Sequence, residues 1–256
     1  MKRLSILGVL AITLSLFVGC NKNNGSPSVS PVYLLSVIKT TANGKLTDSS
    51  VYKYDTQNRI IEFTDVPNNN TDVKYIYDAN GHLNEVDTYH NNLIYTKSIY
   101  TYSTNSINQQ VNSYSNGSVA STSNLVLTIN SSQQITKVGV DANDYNTYTY
   151  DASGNQATYN QYISNNLTGP YYAYVYTYDN NKNPFLNTKG DFYVSQYGAS
   201  VNNVIKQTVT SVNSSTPYVF NYTYTYNTDG YPITRTGTTT GIADQHVVVT
   251  YTYIIK

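Results

Sequence analysis

A short tyrosine motif followed by a turn recurs along this chain: Tyr52-Lys53-Tyr54-Asp55, Tyr75-Ile76-Tyr77-Asp78, Tyr148-Thr149-Tyr150-Asp151, Tyr176-Thr177-Tyr178-Asp179 and Tyr224-Thr225-Tyr226-Asn227. Self-similarity at a regular spacing means that one supersecondary unit is repeated, which restricts the fold to an array. In Thr147-Tyr148-Thr149-Tyr150 successive side chains point to opposite faces, so the tyrosines share one face and the threonines the other. Asp151 then opens a turn, and Gly154 falls where closure by a type I turn needs a left-handed residue. Gly81, Gly230 and Asn58 hold the same slot in their own units. A return strand follows, as at 59–63 and 83–89, so each unit is an up-strand, a tight turn and a down-strand.

Weaker copies lie at Tyr100-Thr101-Tyr102-Ser103, Leu127-Thr128-Ile129-Asn130 and around Asn202-Asn203-Val204-Ile205. The total is about eight units spaced by about 21 to 28 residues, hence roughly fifteen strands. Composition agrees: Tyr 29, Trp 0, Met 1 and only two glutamates, Glu62 and Glu85, favour strands and turns over helices. Short polar connections such as 67–71 and Asn116-Gly117 join successive hairpins into an antiparallel meander. A sheet this broad cannot stay flat, because strand twist accumulates and sheets beyond ~10 strands curl, split or close. The expected fold is therefore all-β, a meander of repeated hairpins curled into a barrel or half-barrel over one domain, 32–256. Closure would also remove exposed edges.

The N-terminus carries a different signal. Met1-Lys2-Arg3 is a positive n-region, 4–17 an apolar h-region, and Phe17-Val18-Gly19-Cys20 a small-residue junction ending in the only cysteine. The apolar run falls short of the ~20 residues that a helix needs to span a bilayer. The junction resembles the lipobox of bacterial lipoproteins, with Phe17 where leucine is usual. That resemblance implies a signal peptide over 1–19 and a lipidated Cys20 as the first mature residue. The polar stretch up to Pro31 reads as a flexible tether, so 20–31 would hold the domain within about 40 Å of one leaflet. With one cysteine, no intramolecular disulfide can form. Removal of the leader leaves 13 basic against 15 acidic groups, and no basic field exists to attract nucleic acid.

Catalytic signatures are absent from the sequence. His82, His90 and His246 are scattered, and there is no metalloprotease helix, nucleophile elbow, Walker loop or dinucleotide fingerprint. No cofactor or metal is expected, and the chain is read as a non-enzyme. The turn residues Asp55, Asp78, Asp151 and Asp179 are either Asx turns or calcium ligands, and the repeat supplies one per turn, as Asx turns require. Asp141-Ala142-Asn143-Asp144 comes nearest to an oxygen-ligand cluster but lacks the glycine and distal glutamate of an EF-hand. The densest tyrosine stretch is Tyr171, Tyr172, Tyr174, Tyr176 and Tyr178. These rings either stack on a sugar or partner, or fill a core short of Leu and Phe; the first four are the candidate ligand-binding residues.

The pattern Tyr-x-Tyr-Asp-x-x-Gly resembles the YD repeats of Rhs-type shell proteins. More closely, 176–185 with Asn202-Asn203-Val204 and 224–232 resembles an uncharacterised family of Bacteroidetes-type lipoproteins with a porin-like fold. That resemblance covers nearly all the mature chain and implies an outer-membrane location without an assigned activity. A transmembrane barrel would need an apolar lipid-facing band. Here the face opposite the tyrosines is rich in Thr, Ser, Asn and Lys, and the mean hydropathy is -0.40. The leading expectation is a non-catalytic lipoprotein on a lipid tether, a binding or structural module that contacts glycan or an envelope protein. The alternative is a periplasmic carrier holding an apolar ligand in the curled sheet, and a hydrolase is the third reading.

Overall fold

A computed structural model describes residues 30–66, 70–141, 143–163, 169–191, 194, 200–240 and 246–256. The chain divides into two compact units, Met1–Pro31 and Val32–Lys256. The leader, Cys20 and the tether up to residue 29 lie outside the described residues. So do 67–69, most of one of the connections named above.

The second unit has sixteen strands: β1 (Tyr33–Ala42), β2 (Lys45–Tyr54), β3 (Ile60–Val66), β4 (Thr71–Tyr77), β5 (Leu83–His90), β6 (Leu93–Tyr102), β7 (Ser106–Ser115) and β8 (Ser118–Ile129) in its first half. β9 (Ile135–Gly139), β10 (Tyr145–Tyr150), β11 (Gln156–Tyr162), β12 (Tyr172–Tyr178), β13 (Val204–Ser211), β14 (Ser214–Tyr226), β15 (Pro232–Thr239) and β16 (Val247–Ile255) complete it. Each strand pairs antiparallel with its sequence neighbours, and β1 pairs with β16 to close the barrel. The expected meander is therefore a full barrel, with no half-open edge.

Eight units make up the barrel, but not the eight read from the sequence. Asn202-Asn203-Val204-Ile205 is no separate hairpin: β13 is the return strand of the Tyr176 unit. The missing unit is Tyr251-Thr252-Tyr253 in β16, whose return strand is β1 at the other end of the chain, with Tyr253 opposite Leu35. One repeat is thus split between the two termini, and pairing its halves closes the ring.

Turns opened by Asp or Asn share one geometry. The backbone N–H of the first residue donates to the carbonyl four residues on, as from Asp55 to Arg59 (3.0 Å), Asp78 to His82 (2.9 Å) and Asp151 to Asn155 (2.8 Å). The fourth residue is left-handed, with φ of 65° at Asn58, 88° at Gly81, 89° at Gly154 and 82° at Gly230. Gln133 fills this slot at φ 62°, a place its side chain gave no reason to expect.

A β-bulge follows in seven of the eight units. The register slips by one residue between Lys53 and Tyr54, between Ile76 and Tyr77, and between Thr149 and Tyr150, and likewise in the other four. Only the β6–β7 pair runs without a shift. An extra residue disrupts the ladder and reverses the facing of everything beyond it. Buried residues of the return strands therefore recur at i and i+3: Ile60 and Phe63, Leu83 and Val86, Ile135 and Val138.

The core is the lumen. Tyr75, Tyr100 and Tyr148 are buried there with Ile60, Leu83, Leu127 and Ile135. Tyr75 is 7% exposed while the next residue, Ile76, is 44% exposed, so the tyrosine face points in and the alternate face out.

Candidate functional site

The tyrosine hydroxyls find their partners where the bulges leave backbone carbonyls. Tyr54 donates to the Leu35 carbonyl (2.8 Å), Tyr77 to Ile60 (2.9 Å), Tyr150 to Ile135 (2.8 Å), Tyr178 to Gln156 (2.6 Å) and Tyr253 to Pro232 (2.9 Å). Ile60, Ile135, Gln156 and Pro232 are each the first residue after the turn of the preceding unit, and Leu35, opposite Tyr253, holds the equivalent place in the split unit; at each a disrupted ladder needs another donor. The second tyrosine of the motif is thus a stitch between neighbouring units. Tyr226 departs from this pattern and donates to the Asp179 carboxylate, while Tyr224 takes the carbonyl of Val204 at 3.0 Å.

That departure traces to the β12–β13 connection. Asp179 still closes its turn, but onto Asn203, and the described residues between them lie across the end of the barrel where the Asx turns gather. Asn187 donates to the Tyr33 carbonyl (3.0 Å) and the Tyr231 hydroxyl (2.7 Å), and Lys189 N–H to the Asn58 carbonyl (3.0 Å). Asp191 lies 2.8 Å from the His82 ring, the Phe185 ring meets Tyr52 edge-on at 5.3 Å, and Val194 is fully buried in the core. Asn155, also buried, accepts from Val201 N–H (2.9 Å) and Asn202 N–H (2.8 Å). This segment plugs one end of the lumen. β1 begins at the same end, beside Tyr231, where Tyr33 stacks at 4.8 Å.

The candidate tyrosines run along β12 away from the plug. Tyr176 and Tyr174 face the lumen and stack at 6.5 Å, and Tyr174 meets Tyr159 at 4.9 Å, which itself stacks on Tyr148 at 5.3 Å. Tyr172 and Tyr171 stand at the opposite mouth, edge to face at 4.8 Å, and the Tyr171 hydroxyl accepts from Asn213 (2.8 Å). Burial holds the Tyr174 and Tyr176 hydroxyls above the usual phenol range, with neighbouring tyrosines adding to the effect, so both stay neutral.

The turn carboxylates have the Asx-turn geometry. Asp151 Oδ1 accepts the Ser153 and Asn155 N–H groups, each at 2.9 Å, and Asp78 Oδ1 those of Asn80 and His82. Those donors, the Asn155 N–H first, hold the Asp151 carboxyl below its usual range. Asp141 is spent in the same way on Asn143 (2.6 Å) and Asp144 (2.9 Å). His90 lies 2.9 Å from the Thr71 hydroxyl and packs edge-on against Tyr95. Among the described residues no three His, Cys, Asp or Glu side chains gather into a metal-binding group.

A cavity of about 160 Å³ opens in the lumen between β14, β15 and β16. Tyr222, Arg235, Gly237, Val247 and Val249 line it. Gly237 stands opposite Tyr222, and a Cβ there would come within 3.1 Å of the ring. The missing side chain lets the ring lie flat against β15, and the Arg235 guanidinium sits over it at 5.0 Å. Sequence reasoning missed both residues, because without the Tyr226 bulge Arg235 would point outward.

The outer wall is mixed, with exposed Val51, Ile76, Val126 and Val175 alternating with polar side chains. One cross-strand row reads Lys53, Glu62, Lys74, Asp87, Lys97, Asn112 and Thr122. Lys53 donates to Glu62 (2.7 Å), and Lys97 to Glu85 (2.6 Å), with its ammonium also 3.1 Å from Asp87 Oδ1 as an ion pair. On the other side paired threonines form the wall, Thr149 with Thr158 and Thr225 with Thr234, each 2.7 Å apart.

No protein-family model and no curated protein matches the chain. Among solved structures it is similar to a porin-like protein from Bacteroides vulgatus ATCC 8482, with a TM-score of 0.49 and 13% identity over 87% of this chain and 99% of that one. A porin-like protein from Bacteroides uniformis ATCC 8492 gives 0.45 and 12% over 87% and 98%. The Tc holotoxin pore of Photorhabdus luminescens gives 0.29 and 14% over 75% of this chain and 12% of that one. At these scores and identities no residue acquires a role from them.

Proposed function

We propose that this chain is a non-catalytic cell-envelope lipoprotein whose barrel stands outside the bilayer on a lipid tether and acts as a binding or structural module. The observation that carries this reading is the charged row that crosses the outer wall. A spanning barrel needs an apolar band, and each outward lysine near the bilayer midplane costs about 2 to 4 kcal/mol. Lys53, Lys74 and Lys97 stand in one row with their acidic partners. Attachment to the outer membrane then falls to the lipidated Cys20.

The open mouth is the contact end. Six of its eight hairpins present an exposed aliphatic side chain among the described residues: Leu46, Leu93, Val119, Val140, Ile163 and Val212. These aliphatic side chains, more numerous there than exposed aromatic ones such as Tyr95, favour an envelope protein over a glycan as the partner. The cavity between β14, β15 and β16 is too small for a fatty ligand, since about 160 Å³ is below the ~300 to 1,000 Å³ of sites for drug-sized molecules.

Membrane partitioning tests the reading. Cys20→Ser is expected to move the folded protein from the membrane pellet to the soluble fraction. Retention of the variant in membranes after a salt wash and detergent phase separation would make the barrel itself the anchor and overturn it.

A further inference from the structure

We propose that the lumen cavity between β14, β15 and β16 binds a small monocarboxylate with a short apolar body, held by the Arg235 guanidinium. This goes beyond the tethered-module reading and does not depend on it.

Three features of the cavity converge on that ligand class. The first is a cation without an acidic partner among the described residues. Arg235 faces the lumen opposite Tyr224 and Val249, and no Asp or Glu among the described residues forms an ion pair with it. Its protein partners are neutral: the Tyr222 ring beneath it and the Tyr224 hydroxyl, opposite it in register. Burial, ahead of all other causes, keeps that hydroxyl well above the usual phenol range, so it supplies no counter-charge. A guanidinium carries five donors in a planar fork that matches a carboxylate, and it cannot shed its proton to relieve its isolation.

Shape is the second feature. The walls beside the guanidinium are Val247, Val249 and the Tyr222 ring, and the absence of a side chain at Gly237 keeps that ring against the strand. A bare inorganic anion would leave these apolar surfaces unmatched, whereas an aliphatic or aryl tail would cover them.

Size is the third. A cavity of about 160 Å³ is close to the ~150 Å³ that accommodates benzene in an engineered protein interior, and equals the share of about five liquid waters. It admits an aryl carboxylate or a short-chain acid and excludes a long acyl chain. The sequence hides the site because the bulge after Tyr226 turns Arg235 inward.

Isothermal titration of the full-length protein with benzoate tests the proposal, with benzamide as the uncharged isostere and sulfate as the plain anion. Saturable one-to-one benzoate binding is expected, at least tenfold tighter than benzamide. Arg235→Gln should weaken it tenfold or more, and Arg235→Lys should give an intermediate loss because the charge stays and the fork goes. Val249→Phe, which fills the cavity, should abolish binding while the melting temperature shows the barrel intact. Cys20→Ser should bind as the parent does, which separates this site from the tether. Failure of benzoate to bind, equal affinity for benzamide, Arg235 variants within twofold of the parent, or displacement of benzoate by equimolar sulfate would each overturn the assignment.

Discussion

The backbone N–H of Asp179 donates to the carbonyl of Asn203 at 3.0 Å, the bond that in other units joins residues four apart. The two are 24 apart in sequence, so the ordinary turn has been opened and a 20-residue excursion inserted without disturbing its closure. Asn203 keeps the Asx geometry of the turn, donating both its N–H (3.1 Å) and its side-chain amide to Asp179. An array of identical hairpins would leave both ends of the lumen alike. One insertion makes them unlike, with a plugged end at the Asx turns and an open mouth.

Asn155 fixes that plug to the neighbouring turn, so its removal should loosen the insertion before the barrel. Asn155→Ala leaves the Val201 and Asn202 N–H groups without their acceptor in a buried place, at a cost of about 2 to 3 kcal/mol. Chemical unfolding is expected to show this loss, and limited proteolysis to cut first within 180–202. An Asn155→Ala protein as stable as Asn80→Ala would show that the plug is not held there.

A second expectation concerns the hydroxyl stitches. Tyr150→Phe keeps the ring but removes the donor to the Ile135 carbonyl, and should cost about 1 to 2 kcal/mol in thermal unfolding. Tyr95, half exposed at the mouth, serves as the control, and Tyr95→Phe should change stability by less than about 0.5 kcal/mol. Equal effects would mean that the tyrosines matter only as rings.

The fold was legible because the repeat carries its own local chemistry. Period-two alternation placed Tyr148 and Tyr150 on one face, and Asp151 with Gly154 marked the turn. What could not be read was the bulge. It sits one residue into six of the return strands, without a residue type of its own: the extra residue is, for example, Ile61, Asn84, Ala157 or Ile233. One unseen residue reverses the strand, which sends Glu62 outward into the charged row and Arg235 inward to the cavity. The closing unit was missed for a different reason. Its halves, Tyr251-Thr252-Tyr253 and the start of β1, lie at opposite ends of the chain, and periodicity cannot reveal a repeat that wraps around. Of the candidate residues, Tyr174 and Tyr176 do face the lumen, whereas Tyr171 stands at the rim.

Turn strain gives a third test. Gly154 has φ 89°, and a Cβ built there meets only Val201 at 3.5 Å and Gln134 at 3.8 Å, so space is ordinary and the backbone is the obstacle. Gly154→Val should cost about 1 to 2 kcal/mol from the left-handed conformation alone. Thr149→Val, on the outer wall opposite Thr158, should cost less than about 1 kcal/mol. Thermal unfolding that ranks the two the other way would place the αL position elsewhere.

The last expectation is a pH dependence from two carboxyls in the lumen wall. Asp65 lies opposite Ser50 and Thr71 in register. Hydrogen bonding with Asp48 first, then burial, then the charge of Asp48, push its carboxyl up to about 6. The folded protein therefore holds this proton more tightly than the unfolded chain, where an aspartate titrates near ~3.9. The associated stability is fully present below that value and is lost as pH rises through about 6. Because the side chain is only partly buried, solvent screening reduces the effect to roughly 1 kcal/mol. Asp151 and Asp141 are shifted downward by backbone donors, so their contributions are present above ~3.9 and disappear only in stronger acid, outside this window. Urea unfolding at pH 4.5 and 7.5 should show the parent losing about 1 kcal/mol at the higher pH, and Asp65→Asn, which removes the titrating carboxyl, losing much less. Identical losses in the two proteins would show that the Asp65 carboxyl does not hold its proton through this window.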